Sequence, residues 1–319
     1  MRVFLTGATG FLGRHLVPLL LERGDALRAL VRPGTDASAL EALGVEIFRG
    51  ELATDDIRPA AAGCELVFNL AGRVSHEPKD LPLLREANVD GPVNVLKGIE
   101  PGARLVHVSS VAAVGPAPAP DRPADETQAF PPGAASFPYA ATKRAGEKLL
   151  LETEADVVVA NPGFLLGPGD VYRISTWHVE RYLRGLMRIH TPGGLSNVDA
   201  RDVASGLVAL AERGRSGERY ILTSREGNLS HEELFRRLGD VTGVRRRMIG
   251  LPPRVAVLSA TAIPWPVRPG EVRAAANWWF YDPAKAEREL GFNVRPLDET
   301  LAATAAQYLS DGRPGTSGG

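Results

Sequence analysis

The stretch TGATGFLG, from Thr6 to Gly13, constrains this chain more than any other, because three glycines stand three apart directly after an apolar run. Glycine weakens regular structure, so its repetition marks a backbone that turns tightly or lets something approach closely. Val3, Phe4 and Leu5 read as a short buried strand, and Leu12, Leu16, Leu19 and Leu20 recur at helical spacing until Gly24 offers a stop. The first N–H groups of a helix have no partner inside it, and the helix dipole adds partial positive charge there. Strand, glycine turn and helix in this order therefore predict a seat for a pyrophosphate.

The same alternation continues. Strand-like runs RVFLTG, ALRALVR, VEIFRG, ELVFNLAG, RLVHVSS and DVVVANPG are separated by helix-like segments such as ASALEALG and NVDGPVNVLKGI. Near-continuous apolar strands alternating with helices predict an α/β fold, a Rossmann-type doubly wound parallel sheet covered on both faces. A proline-rich loop from Gly115 to Pro138 bridges a strand end and a helix, where a ligand crevice usually lies. Past about residue 168 the alternation weakens. ARDVASGLVALAERG, SHEELFRRLGDVTG and DETLAATAAQYLSDG read as helices, with ERYILTS as a strand and Ser230 and Glu233 as a capping box. The expected organisation is a dinucleotide-binding domain over 1–168 and a mainly substrate-binding lobe over 169–311, some of whose segments could return to the first domain. The tail 312–319 is expected to be disordered.

Composition narrows the partners. Lys plus Arg number 37 against 38 Asp plus Glu, so no global basic field recommends nucleic acid. The single cysteine, Cys64, rules out an internal disulfide and reads as part of a core strand, CELVFNL, which suits a reducing, cytoplasmic setting. The six histidines show no metal-binding spacing, so no metal site is expected. RVAVLSATAIPWPV is too short and too broken by proline to span a membrane, and reads as a packed helix or pocket wall.

The chemistry sits in YAATKRAGEKLLLE, where Tyr139 and Lys143 lie four apart on one face of a helix start. A neighbouring ammonium favours the phenolate, which would make Tyr139 a usable acid or base for hydroxyl–carbonyl interconversion. Ser109 and Ser110 close the fifth strand, where a hydroxyl could hydrogen-bond a substrate oxygen as charge moves onto it. Arg32 ends the second strand, where a dinucleotide fold that prefers NAD usually places an acid; an arginine there suits a 2′-phosphate, so NADP is the expected cofactor, with NAD as the alternative.

TGATGFLG, FNLAG, NVDGPVNVL, VSSVAAVG, YAATK, NPGFLLGPGD, VDARDVASG and YDPAKAERELGF together resemble an extended short-chain dehydrogenase/reductase, the group of the NAD-dependent epimerase/dehydratases and dihydroflavonol reductases. The resemblance implies that Ser110, Tyr139 and Lys143 form a catalytic triad, Ser110 being preferred over Ser109 by its register to Gly115. It implies that Gly7, Gly10, Phe11, Leu12 and Gly13 hold the pyrophosphate, with Arg32, Glu51 and Leu52 toward the adenosine. Ala71, Gly72 and Ser109 would pass beside the cofactor, Asn88 would support the active-site strand, and Pro162, Gly163 and Phe164 would lie near the nicotinamide. Glu51 stands where the family often has Asp. Val111 and Ala112 replace the Asp-Glu pair of family dehydratases, which argues against dehydration.

Two functions remain open: an oxidoreductase passing hydride between nicotinamide and a carbonyl or secondary alcohol, and a nucleotide-sugar epimerase with retained NAD, which the resemblance of RSGERYILTSREGNLSHEELFRRLGDVTG to a sugar-epimerase-like branch supports. A non-catalytic dinucleotide sensor is a third, opposed by the intact Tyr139 and Lys143. The expected partner is a small-molecule substrate, with a homodimer left open. Trp177, His178, Trp278, Trp279 and Phe280 are candidate pocket walls, and Arg245, Arg246 and Arg247 a candidate diphosphate contact.

Overall fold

The computed structural model describes residues 1–262 and 268–310. The tail 312–319 and the two prolines Pro264 and Pro266 lie outside the described residues.

Strands β1 (Arg2–Thr6), β2 (Ala26–Val31), β3 (Glu46–Arg49), β4 (Leu66–Asn69), β5 (Arg104–Val108) and β6 (Val157–Pro162) alternate with helices, as the apolar runs require. Beyond them come β7 (Phe164–Leu166), β8 (Ile189–His190), β9 (Gly194–Asp199), β10 (Arg219–Leu222), β11 (Asn228–Ser230), β12 (Ile249–Gly250) and β13 (Trp278–Trp279). Seven strands form one parallel sheet in the order β10-β6-β5-β4-β1-β2-β3. The order reverses at β1, which pairs with β2 on one side and β4 on the other, so a crevice opens at the carboxyl ends beside Thr6.

Both faces of the sheet are covered, and β1 shows why its strand reads as uninterrupted apolar sequence. Val3 and Leu5 enter the core beneath the helices Phe11–Glu22 and Ala200–Arg213, while Phe4 enters the opposite core with Val95 and Leu150. All three are fully buried, and each such side chain stabilises the fold by about 1.5–3 kcal/mol. Cys64 is buried in the turn before β4 and not in the strand itself.

The helix Ala200–Arg213 buries Val203, Leu207 and Leu210 in the main core, and β10 is the sheet's edge strand. The α/β alternation is therefore interrupted after β6 by an insert, and β10 is a later segment that returns to the main sheet. The inserted and later segments build a smaller region in which β9 lies between β11 and β13 and also pairs with β7, while β8 pairs with β12. The helix His231–Thr242 opens with the Ser230–Glu233 capping box and stops at Gly243 with φ 72°. Its apolar face, Leu234, Phe235 and Leu238, packs on Tyr182 and Leu301. Among the described residues no helix is long and apolar enough to cross a membrane, and no group of residues could hold a metal ion.

Candidate active site

The glycine turn has the geometry its sequence predicts. Gly7 takes φ 72°, and a Cβ there would fall 2.7 Å from the backbone nitrogen of Ala71; a Cβ on Gly13 would fall 2.5 Å from the carbonyl oxygens of Gly7 and Ala8. These two glycines let β1, the loop after β4 and the helix Phe11–Glu22 close on one another. Gly10 differs: its Cβ direction meets only the Gly7 carbonyl oxygen, at 3.1 Å, and it lines the cavity described below. No side chain caps the helix that Gly10 precedes, so its first N–H groups face the crevice. That cradle fits a pyrophosphate.

Ser110, Tyr139 and Lys143 are brought together across it. β5 ends at Val108, and Ser110 caps the short turn Val111–Ala113, its Oγ accepting from the Ala112 N–H at 3.1 Å. Tyr139 and Lys143 project from the first turns of the helix Pro138–Leu151, and both line the same cavity as Ser110. The Lys143 Nζ donates to the Val108 carbonyl at 3.1 Å and stands so close to Gly72 that a Cβ there would lie 2.9 Å from it. Burial pushes the Tyr139 phenol above its ordinary value, while Ser110 pulls the other way. The lowering expected from Lys143 is not found: desolvation sets the direction. Burial also pushes the Lys143 ammonium down to about 8, against the attraction of Glu147.

A buried polar network under this shelf escaped the sequence reading. Glu147 is fully buried, with its Oε1 2.7 Å from Nη2 of Arg219 on β10 and its Oε2 accepting from Asn161 Nδ2 at 2.7 Å. Asn161 also donates to the Ser110 carbonyl at 2.9 Å. The signal was present: Glu147 follows Lys143 by four residues on the same helix face. Glu147→Gln keeps hydrogen-bonding capacity toward Asn161 but leaves Arg219 uncompensated, so unfolding free energy should fall by on the order of 3 kcal/mol in a denaturant titration. Because the carboxylate raises Lys143, its loss should also move the ionisation near 8 to lower pH. A pH–activity profile unchanged in this variant would remove the link.

Asn88 and the loop after β4 complete the frame. Asn88 accepts from the Arg73 N–H at 2.9 Å and donates to the Arg73 carbonyl at 2.9 Å and to Thr142 Oγ1 at 3.2 Å, tying that loop to the Tyr139 helix. The Ala71 N–H donates to Thr6 Oγ1 at 3.2 Å.

A cavity of about 880 Å³ runs from the glycine turn past these groups into the smaller region. Gly7, Gly10, Phe11, Leu12 and Gly13 line one end; Gly72, Ser109, Ser110, Tyr139 and Lys143 line the middle; Pro162, Gly163 and Phe164 follow. Arg32, Glu51, Leu52, Ala71 and Asn88 are not on its wall. Arg32 is exposed just past β2, beside the glycine-turn end of β1, and Glu51 is exposed past β3, its N–H bonded to Asp55. Leu52 packs toward Gly91. Of the aromatic candidates, Trp177, His178 and Trp279 line the cavity, whereas Trp278 and Phe280 are not on its wall. Arg245 pairs with Asp240 at 3.0 Å and Arg246 donates to the Leu183 carbonyl at 2.9 Å, and the arginine triplet does not line the cavity. His76, weighed in the sequence only for metal spacing, meets the Tyr139 ring edge-on at 6.3 Å.

The model of the NAD dependent epimerase/dehydratase family matches residues 3–222, the span that holds every strand of the main sheet. The chain belongs to this family. It is 32% identical to a Synechocystis protein named "Putative dihydroflavonol 4-reductase", over 97% of this chain and 95% of that one. Among solved structures, that of gox2253 superposes with a TM-score of 0.84 at 29% identity over 98% of each chain. A nucleoside-diphosphate-sugar epimerase from Pseudomonas aeruginosa superposes with a TM-score of 0.79 at 26% identity, also over 98% of each. This family member is an NAD(P)-dependent enzyme, a reductase or an epimerase.

Proposed function

We propose that this enzyme is an NADPH-dependent reductase of carbonyl compounds, in which Tyr139 is the proton donor. The observation that carries the reading is Tyr139 on one cavity wall with Ser110 and Lys143, its hydroxyl held above its ordinary pKa by burial. A phenol so placed is protonated at neutral pH and suits the acid's role, giving its proton to the oxygen of a carbonyl as that carbon is reduced. When bound, the nicotinamide supplies the hydride. Ser110 orients the carbonyl oxygen, and the Lys143 ammonium, fixed by the Val108 carbonyl, places positive charge beside the site as negative charge grows on that oxygen. Gly7, Gly10 and Gly13 would hold the pyrophosphate at the helix N-terminus. Reductive turnover should fall as pH rises through about 8, where Lys143 loses its proton.

Two further features favour reduction. Val111 and Ala112 provide no carboxylates for eliminating water. Arg32 is exposed, and no described side chain pairs with it, which leaves its guanidinium to a 2′-phosphate. Fluorescence titration should show NADPH binding more tightly than NADH by about tenfold or more, and Arg32→Ala should narrow the gap by weakening NADPH. Equal affinities in the wild type would return the choice to the epimerase reading, in which NAD is retained and the hydride goes back to the sugar.

A further inference from the structure

We propose that a basic and apolar surface beside one end of the cavity docks this protein on a membrane of anionic lipid. The inference goes beyond the reductase reading and does not depend on it.

The surface is built from two stretches that lack carboxylates. From Arg181 to Val198 the sequence holds three arginines and neither Asp nor Glu, and from Val241 to Gly270 it holds five arginines and again neither acid. The fold joins the two. Ile249 of β12 pairs with Ile189 of β8, its N–H donating to the Arg188 carbonyl at 2.8 Å, and the Leu251 N–H donates to the His190 carbonyl at 2.9 Å. The guanidiniums of Arg188 and Arg246 both come within 3.4 Å of the point where a Cβ on Gly185 would fall, so two like charges are neighbours. Arg188 donates to the Gly185 carbonyl and Arg246 to the Leu183 carbonyl, and among the described residues neither they nor Arg247 and Arg254 meet a carboxylate. The acids just before each stretch are already engaged, Glu180 with Arg173 and Arg184, and Asp240 with Arg236 and Arg245. Neighbouring guanidiniums without a counter-charge attract an anion with several oxygens, such as the phosphate of a lipid headgroup.

Apolar side chains are interleaved with these charges. Leu186, Ile249, Val255 and Leu258 are each at least half exposed. On the helix Pro253–Ala262, Ala256 and Ser259, three apart, line the cavity, while Val255 and Leu258, also three apart, stand out in water. A headgroup layer takes up such side chains beside the arginines. Two other occupants fit less well. Duplex nucleic acid would satisfy the arginines but leave the apolar residues in water, and a second copy docked by the same face would set arginine against arginine. The single sign of charge belongs to this outer surface, because the cavity wall carries Glu77, Asp80 and Glu271 together with Arg73 and Arg268. Met187, Ile189, Ala256 and Ser259 are wall residues within the same two stretches, so docking brings this end of the cavity to the headgroup layer.

The test floats the full chain with lipid vesicles. Vesicles of equal parts phosphatidylglycerol and phosphatidylcholine should carry the protein, pure phosphatidylcholine should bind it at least about tenfold more weakly, and added salt should weaken the mixed-vesicle binding. Both measurements use the wild type, so they hold even should a variant fail to fold. Arg188→Gln combined with Arg247→Gln should lower affinity for the mixed vesicles by about 20-fold, near fivefold for each charge removed. Val255→Ser combined with Leu258→Ser keeps every charge and should lower it by about tenfold. NADPH affinity should stay at the wild-type value in both double variants. Equal binding to the two vesicle types, binding to neither, full binding by either double variant, or tighter binding to duplex DNA than to the mixed vesicles would overturn the proposal. A dimer of the wild type that is lost in the same variants, without vesicle binding, would assign the surface to a second copy instead.

Discussion

Tyr139→Phe is expected to lower turnover by about 10²–10⁴-fold, the usual scale for losing a positioned proton donor. The substitution removes one oxygen and keeps the ring, so its packing against the buried cluster that includes Ile221 and Trp279 and the edge contact from His76 remain. Only the hydroxyl and its interaction with Ser110 are lost, and stability should change by no more than about 1 kcal/mol. NADP(H) affinity should hardly move, because Lys143 keeps its bond to the Val108 carbonyl and its place beside Gly72. A fall in kcat with cofactor affinity intact identifies a group that acts on the reacting atoms. Near-full activity in the variant, on a verified substrate, would sink the assignment of Tyr139 as proton donor.

How far the sequence alone reaches is set by the range of the interactions. β1, the glycine turn and the helix after it are local, each residue constrained by neighbours within a few positions, and their limits were readable. The same holds for Tyr139 and Lys143, which one helix turn brings together. Which segments after β6 rejoin the main sheet was left open by the sequence, because β10 owes its place to pairing with β6 across an insert of many residues, a contact that local periodicity does not carry. Glu147 was legible as a helix position but not as a buried charge, since Arg219 reaches it from that same distant strand. The phenol's direction of shift was misjudged for a related reason. Spacing reveals the nearby ammonium, whereas the desolvation that sets the direction depends on Phe137, Trp279 and other walls assembled from separate parts of the chain.

The glycine turn supplies the second large effect, and the structure identifies which glycine can report it. A side chain at Gly7 would be strained by φ 72° and would strike the Ala71 backbone, and one at Gly13 would strike two carbonyl oxygens, so substitutions there confound binding with folding. Gly10 has φ −76° and ψ 175°, extended backbone that valine adopts readily, and its Cβ needs the Gly7 carbonyl to yield only by a few tenths of an ångström. Gly10→Val should therefore fold with a loss of no more than about 1.5 kcal/mol. Its branches would stand in the crevice at the uncapped start of the helix Phe11–Glu22, where the pyrophosphate would take its N–H bonds. Losing two charge-assisted bonds of about 1.5–3 kcal/mol each should weaken dinucleotide binding by more than about 100-fold. Circular dichroism and thermal melting establish the fold, and titration with NADPH and NADH reads the affinity. A folded Gly10→Val protein that binds either dinucleotide as the wild type does would show that the turn serves packing alone, and the phosphate seat would have to be sought elsewhere on the sheet's carboxyl edge.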